Sequence, residues 1–74
     1  MIAAGDVISF IDAVGYETVY LLLGRVELDG LPPVARMRWE CLVLHRDDDV
    51  WPRGRPGHVV WPSEHNLLQG KKLS

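Results

Sequence analysis

Residues 36–46 read RMRWECLVLHR, and this stretch decides the fold class. Side chains at every second position share one face of a β-strand. One face carries the apolar side chains Met37, Trp39, Cys41 and Val43. The other face carries Arg36, Arg38, Glu40 and Leu42. This alternation predicts a half-buried strand with Trp39 and Cys41 in the core.

Two further apolar stretches precede this strand. Residues 6–14 (DVISFIDAV) are rich in β-branched side chains, which favours a strand. A short helix that begins at Asp6 and ends at Gly15 is the alternative. Residues 18–28 (TVYLLLGRVEL) alternate only in their second half, and their first half is apolar on both faces. Gly24 predicts a bend or bulge there and, with the later alternation, disfavours a leucine-rich helix.

Glycine and proline separate the remaining elements. Asp29-Gly30 predicts a turn, and Pro32-Pro33 predicts a segment without helix or strand pairing. Residues 47–56 (DDDVWPRGRP) are mostly polar and show no periodicity, which predicts a loop. The short strand predicted for residues 57–61 (GHVVW) ends at Pro62.

The C-terminal residues combine a turn signal with apolar side chains. Ser63 is a suitable N-cap for one helical or 3₁₀ turn. Leu67 and Leu68 are expected to return to the core. Residues 70–74 are predicted to form either a last short strand or a frayed tail. The sequence therefore predicts an all-β domain of about five short strands with one helical turn near Ser63.

Length and composition limit the class of protein. The chain has 74 residues, of which 47% are hydrophobic and 24% are charged, so we expect a single globular domain rather than a disordered segment. The net charge of −2 gives no general attraction to nucleic acid or anionic membrane. A single cysteine, no long apolar run and no basic leader favour a reducing, cytoplasmic location and no membrane association. Six arginines against two lysines suggest a GC-rich bacterial or phage genome.

The segment VVWPSEHNLL, residues 59–68, resembles the end of an SH3 domain. In that family a strand runs into a proline and a 3₁₀ turn before an apolar residue re-enters a small barrel. The resemblance implies an SH3-like small β-barrel. It does not extend to proline-rich ligands, because residues 6–10 (DVISF) do not supply the aromatic and acidic motif of the peptide groove.

Residues 59–62 (VVWP) are also similar in shape to the pore-lining motif of the plasmid-borne dihydrofolate reductases. That family assembles SH3-like barrels into a tetramer around a shared pore. The glutamine and tyrosine that face folate and nicotinamide in that family are missing here. The resemblance therefore implies no reductase activity.

No metal or catalytic set is predicted. Cys41 and His45 share a face of a straight strand but lie about 13 Å apart at ~3.3 Å per residue, and His58 and His65 are not at metal-ligand spacing. Cys41 lies between apolar neighbours, where an inert core thiol is expected rather than a nucleophile. Residues 47–49 (DDD) lack the spacing of a calcium loop. We expect no cofactor.

Tryptophan and arginine supply the candidate site. Trp51, Arg53, Arg55 and Trp61 combine the residue types that dominate binding hot spots. They predict a non-enzymatic protein-interaction module, phage-encoded or accessory bacterial, that self-associates or docks on a larger protein. One alternative is a small barrel that binds nucleic acid through Arg53 and Arg55. Another is a small oligomeric enzyme whose site is shared between subunits.

Overall fold

The computed structural model describes residues 2–47 and 56–74. Nearly half of these residues lie in strands and only two short helices accompany them, so the all-β class is confirmed. The described elements, in chain order, are β1 (Val7–Ile11), β2 (Glu17–Glu27), α1 (Pro33–Arg36), β3 (Met37–Arg46), β4 (Val59–Val60), α2 (Glu64–Leu68) and β5 (Lys71–Lys72). Neither helix in the described part has the length or apolar character needed to cross a bilayer.

The strands form one antiparallel sheet in the order β4-β3-β2-β1-β5. The sheet does not close into a barrel, because β4 and β5 lie at its opposite edges. Each edge strand is two residues long in the described ranges. The sheet is therefore open.

The first apolar stretch is a strand, as the β-branched residues indicate, and not a helix. β1 pairs with β2 from Val7 opposite Leu21 to Ile11 opposite Glu17. The turn between these strands is closed by Asp12, whose carboxylate accepts hydrogen bonds from the backbone N–H groups of residues 14, 15 and 16. Gly15 adopts a φ of 100°, which glycine reaches without strain.

Two bulges interrupt the long β2–β3 ladder. Leu22 lies opposite Cys41 and Gly24 opposite Glu40, so Leu23 is an extra residue, and the bulge predicted at Gly24 is confirmed. The second bulge is at Leu44. It was not predicted.

The Leu44 bulge changes which face of β3 carries the residues beyond it. Tyr20 lies opposite Val43, whereas the adjacent Val19 lies opposite His45. His45 therefore lies on the face opposite to Cys41. The expectation that Cys41 and His45 share a face is wrong, because it assumed uninterrupted alternation.

A single helical turn, α1, occupies the segment that the two prolines were predicted to keep irregular. Pro33 is the first residue of α1, where the missing N–H has no helical partner to lose. The Ala35 N–H donates to the Pro32 carbonyl at 2.9 Å. Arg36, predicted as the start of the third strand, is the last residue of this helix.

The core lies between α2 and one face of the sheet. Leu67 of α2 joins a cluster of buried side chains made up of Ile8, Leu22, Trp39, Cys41 and Leu67. The predicted cap is confirmed, because Ser63 Oγ accepts from the Asn66 N–H at 3.3 Å. Leu68 does not reach the core and is 57% exposed, since adjacent positions on a helix point about 100° apart. Residues 71 and 72 form the predicted last strand, paired with β1.

Cys41 is the most deeply buried residue of this core, and burial raises the pKa of its thiol to about 12. We expect its alkylation at about pH 8 to be at least about a thousandfold slower in the folded protein than in the urea-unfolded chain, because reagent reaches the sulfur only through unfolding. Iodoacetamide labelling followed by intact-mass measurement tests this, with glutathione as the exposed-thiol control. Equal rates in folded protein and glutathione would contradict the buried position.

Candidate interaction surface

The sheet has two unlike faces. The face that carries Ile8, Leu22 and Cys41 packs against Leu67 of α2. We call the opposite face the outer face. A sheet covered on one side usually presents polar side chains on the other.

The outer face instead carries an aliphatic row that crosses four strands. Val7 lies opposite Leu21, Leu21 opposite Leu42, and Leu42 opposite Val59. Side chains at opposed positions of neighbouring strands point to the same face and touch. All four keep exposed surface, and Val59 is 38% exposed. We call these four residues the aliphatic row.

A groove continues the outer face beyond the aliphatic row. It has a volume of about 410 Å³ and is lined by Val26, Leu28, Leu31, Arg38 and Trp61. Arg38 lies opposite Val26, and its Nη1 donates to the Trp61 carbonyl at 2.9 Å. Trp61 is 52% exposed. This hydrogen bond holds the chain at Trp61 beside the outer face while the indole stays accessible.

The bulge at Leu23 explains why this groove is apolar. It shifts the alternation of β2, so that Arg25 lies opposite the core residue Trp39 and Val26 lies on the outer face. Leu28 is 39% exposed. Val26 and Leu28, the apolar residues of the alternation in the second half of this stretch, thus point away from the core.

Charges alternate along β3 on the outer face. Arg38 and Glu40 lie on one side of Leu42 on the same face, since they precede it by four and two residues, respectively. His45 lies on the other side, and Asp47 follows it. The series thus reads cation, anion, leucine, imidazole, anion.

The acidic and imidazole groups after the Leu44 bulge form a cluster with the start of β2. One ligand-type atom from each of Glu17, His45 and Asp47 lies within 4.8 Å of the other two. His45 Nε2 is 2.7 Å from Asp47 Oδ1, and the Glu17 N–H donates to Asp47 Oδ2 at 3.0 Å. The Glu17 N–H, and after it His45, hold the pKa of Asp47 below its usual range. Ser9 Oγ, which is buried, donates to Glu17 Oε2.

A second polar group lies on the core side and has a structural role. Glu64 accepts from Arg25 Nη2 at 3.0 Å and from Trp39 Nε1 at 3.1 Å. The Arg25 hydrogen bond, followed by that from Trp39, holds the pKa of Glu64 below its usual value. These contacts satisfy the indole N–H of a core tryptophan and fix α2 to the sheet.

Of the predicted site residues, Trp61 is exposed. Trp51, Arg53 and Arg55 lie outside the described residues. His58 and His65 are exposed, and His65 Nε2 is 3.0 Å from Gln69 Nε2.

Sequence reasoning missed the aliphatic row and Glu17. The signal for the row was present in the first half of β2, which is apolar on both faces.

Comparison with family models, with curated proteins and with solved structures gives no match for this chain.

Proposed function

We propose that this chain is a non-enzymatic protein-interaction module whose outer face packs against a second copy of itself. The observation that carries the proposal is the aliphatic row of Val7, Leu21, Leu42 and Val59. The strand order, with a helical turn before the last strand, supports an SH3-like arrangement. The proposed contact surface is the outer face of the sheet.

The balance of apolar side chains supports association. In residues 2–47 and 56–74, six hydrophobic side chains are buried, whereas ten large ones are exposed. A small domain with this balance gains proportionally more stability than a large one when a partner covers its exposed apolar surface. A contiguous row across four strands offers such a surface in one plane.

The charges beside the aliphatic row favour a second copy as the occupant. A twofold axis that runs along the row reverses the strand direction of the partner. It therefore brings Glu40 of one copy opposite His45 of the other, and Arg38 opposite Asp47. Each opposed pair combines an acidic and a basic group, so the outer face is complementary to itself.

Trp61 and the groove beside it extend this contact. An accessible indole beside an arginine is a frequent hot-spot combination. The groove continues the aliphatic row, so Trp61 and Leu28 can be covered by the same partner. The proposed surface thus keeps one of the residues that the sequence predicted.

A lysine at the centre of the row tests the proposal. We expect the wild-type protein to show, by sedimentation equilibrium, twice the 8.4 kDa mass of the chain, and Leu42→Lys to weaken self-association at least about a hundredfold, because a buried unpaired charge costs several kcal/mol. Leu68→Lys is the matched control, since Leu68 is exposed on α2. Circular dichroism checks that each variant folds.

Charge reversal tests the orientation of the pair. Glu40→Lys is expected to weaken the dimer, and adding His45→Glu in the same chain is expected to restore it. A wild-type chain that stays monomeric at all concentrations would refute self-association. Equal weakening by Leu42→Lys and Leu68→Lys would refute the outer face as its site.

A further inference from the structure

We propose that Glu17, His45 and Asp47 bind one divalent transition-metal ion of the zinc type. The three side chains supply two carboxylates and one imidazole, which are ligands that zinc takes in proteins. Their donor atoms already lie within 4.8 Å of one another. Donor atoms around one zinc ion, each about 2.0–2.2 Å from it, lie roughly 3.5 Å apart, so the 2.7 Å contact between His45 Nε2 and Asp47 Oδ1 lengthens and any wider pair closes. Small side-chain rotations therefore complete the site.

The backbone holds the ligands in place before any ion binds. The Asp47 N–H donates to the Glu17 carbonyl at 3.0 Å, and the Glu17 N–H donates to the Asp47 carboxylate at 3.0 Å. Thr18 lies opposite Arg46 and Val19 opposite His45 in the ladder. Because Glu17 and His45 lie in paired strands and Asp47 directly follows β3, little order has to be created on binding.

Ser9 gives the cluster a supporting partner. Its side chain is buried, at 6% exposure, and its hydroxyl donates to one oxygen of Glu17. A ligand carboxylate that is held by a hydrogen bond on one oxygen presents the other to an ion. Ser9 therefore orients Glu17 without being a ligand itself.

The charge of the cluster favours a cation. Two carboxylates share one imidazole, whose Nε2 lies 2.7 Å from Asp47 Oδ1. A divalent ion replaces that hydrogen-bond contact, takes the Nε2 lone pair of the neutral imidazole and neutralises both carboxylates. Any proton on Nε2 leaves for solvent. The imidazole favours zinc, cobalt or nickel over calcium, which prefers six or more oxygen ligands.

Three protein ligands leave one tetrahedral position for water or for a further ligand. The site is on the exposed face, since His45 and Asp47 are both exposed. Its formation does not require the dimer. Because the proposed dimer sets Glu40 and Arg38 of the second copy against His45 and Asp47, zinc binding is also measured in the monomeric Leu42→Lys variant.

Isothermal titration of the protein with zinc chloride tests the site. We expect one ion per chain, with affinity lowered at least about tenfold by Glu17→Gln and by His45→Gln. His65→Gln is the matched control and is expected to leave the affinity unchanged. Calcium chloride is expected to give no comparable heat. Zinc is also expected to shift the His45 imidazole resonances in NMR spectra more than those of His58 and His65.

The monomeric variant separates this inference from the proposed function. Leu42→Lys is expected to bind one zinc ion per chain, whether or not the wild type self-associates. The absence of stoichiometric binding in the folded protein would overturn the site. Binding that Glu17→Gln and His45→Gln leave unchanged would show adventitious metal only and would also overturn it.

Discussion

Leu67→Ala is expected to lower the free energy of unfolding by about 2–5 kcal/mol. Leu67 is 1% exposed and is the buried residue through which α2 contacts the sheet. Its truncation leaves a cavity in the buried cluster that Leu67 shares with Ile8 and Trp39, and a short helix cannot close it. Since small domains are stable by only about 5–15 kcal/mol, this loss removes much of the stability. Urea unfolding followed by far-ultraviolet circular dichroism measures it.

Leu68→Ala is the matched control for this substitution. The two leucines are neighbours on the same helical turn, but Leu68 is 57% exposed. Its truncation is expected to change the free energy of unfolding by less than about 0.5 kcal/mol. Similar losses at both positions would contradict the orientation of α2.

Gly70→Ala is expected to cost about 1–3 kcal/mol, the cost of overpacking a tight site. A Cβ at position 70 would lie 2.7 Å from Ile8 Cγ2 and 2.8 Å from the Ser9 carbonyl oxygen. The Ser9 oxygen belongs to the backbone of β1 and cannot move alone. We therefore expect the substitution to displace β5 from the sheet edge. Hydrogen exchange of the Leu73 N–H, which donates to the Val7 carbonyl at 2.7 Å, reports that displacement.

Gly24→Ala controls for the added methyl group and the lost glycine flexibility. A Cβ at position 24 meets no atom within 4 Å, and Gly24 does not have a positive φ. The substitution is expected to be neutral or to stabilise the protein by up to about 1 kcal/mol. A larger loss of unfolding free energy for Gly24→Ala than for Gly70→Ala would contradict the tight packing of Gly70 against β1.

Local patterns were sufficient to predict most elements. The β-branched residues of β1, the alternation of β3, the bulge at Gly24 and the cap at Ser63 each depend on a few neighbouring residues. Closure of a barrel depends on pairing between distant edges, which no local pattern specifies. The helix α1 was missed for a different reason. Pro33 excludes a helix interior but is favourable at a first helical position.

The candidate surface depends on strand register, and a single sequence shows register poorly. The aliphatic row becomes visible only when Val7, Leu21, Leu42 and Val59 are known to be opposed. Glu17 and Asp47 are 30 residues apart in the chain, and their proximity follows from the β2–β3 ladder. Trp61 was predicted because its residue type and its position before Pro62 are local. The role of Trp61 in binding stays a prediction, as do those of Trp51, Arg53 and Arg55, which lie outside the described residues.

The bulge at Leu44 reverses the alternation of inward and outward side chains along β3. Before it, odd-numbered residues such as Cys41 and Val43 point inward. After it, the odd-numbered His45 points outward. One inserted residue thus allows the first segment of β3 to place its odd-numbered side chains in the core. The next segment places the odd-numbered His45 on the outer face. The alternation of substitution-tolerant and substitution-sensitive positions along β3 should therefore reverse at residue 44. An insertion or deletion in this segment is expected to be as disruptive as a substitution in its core positions.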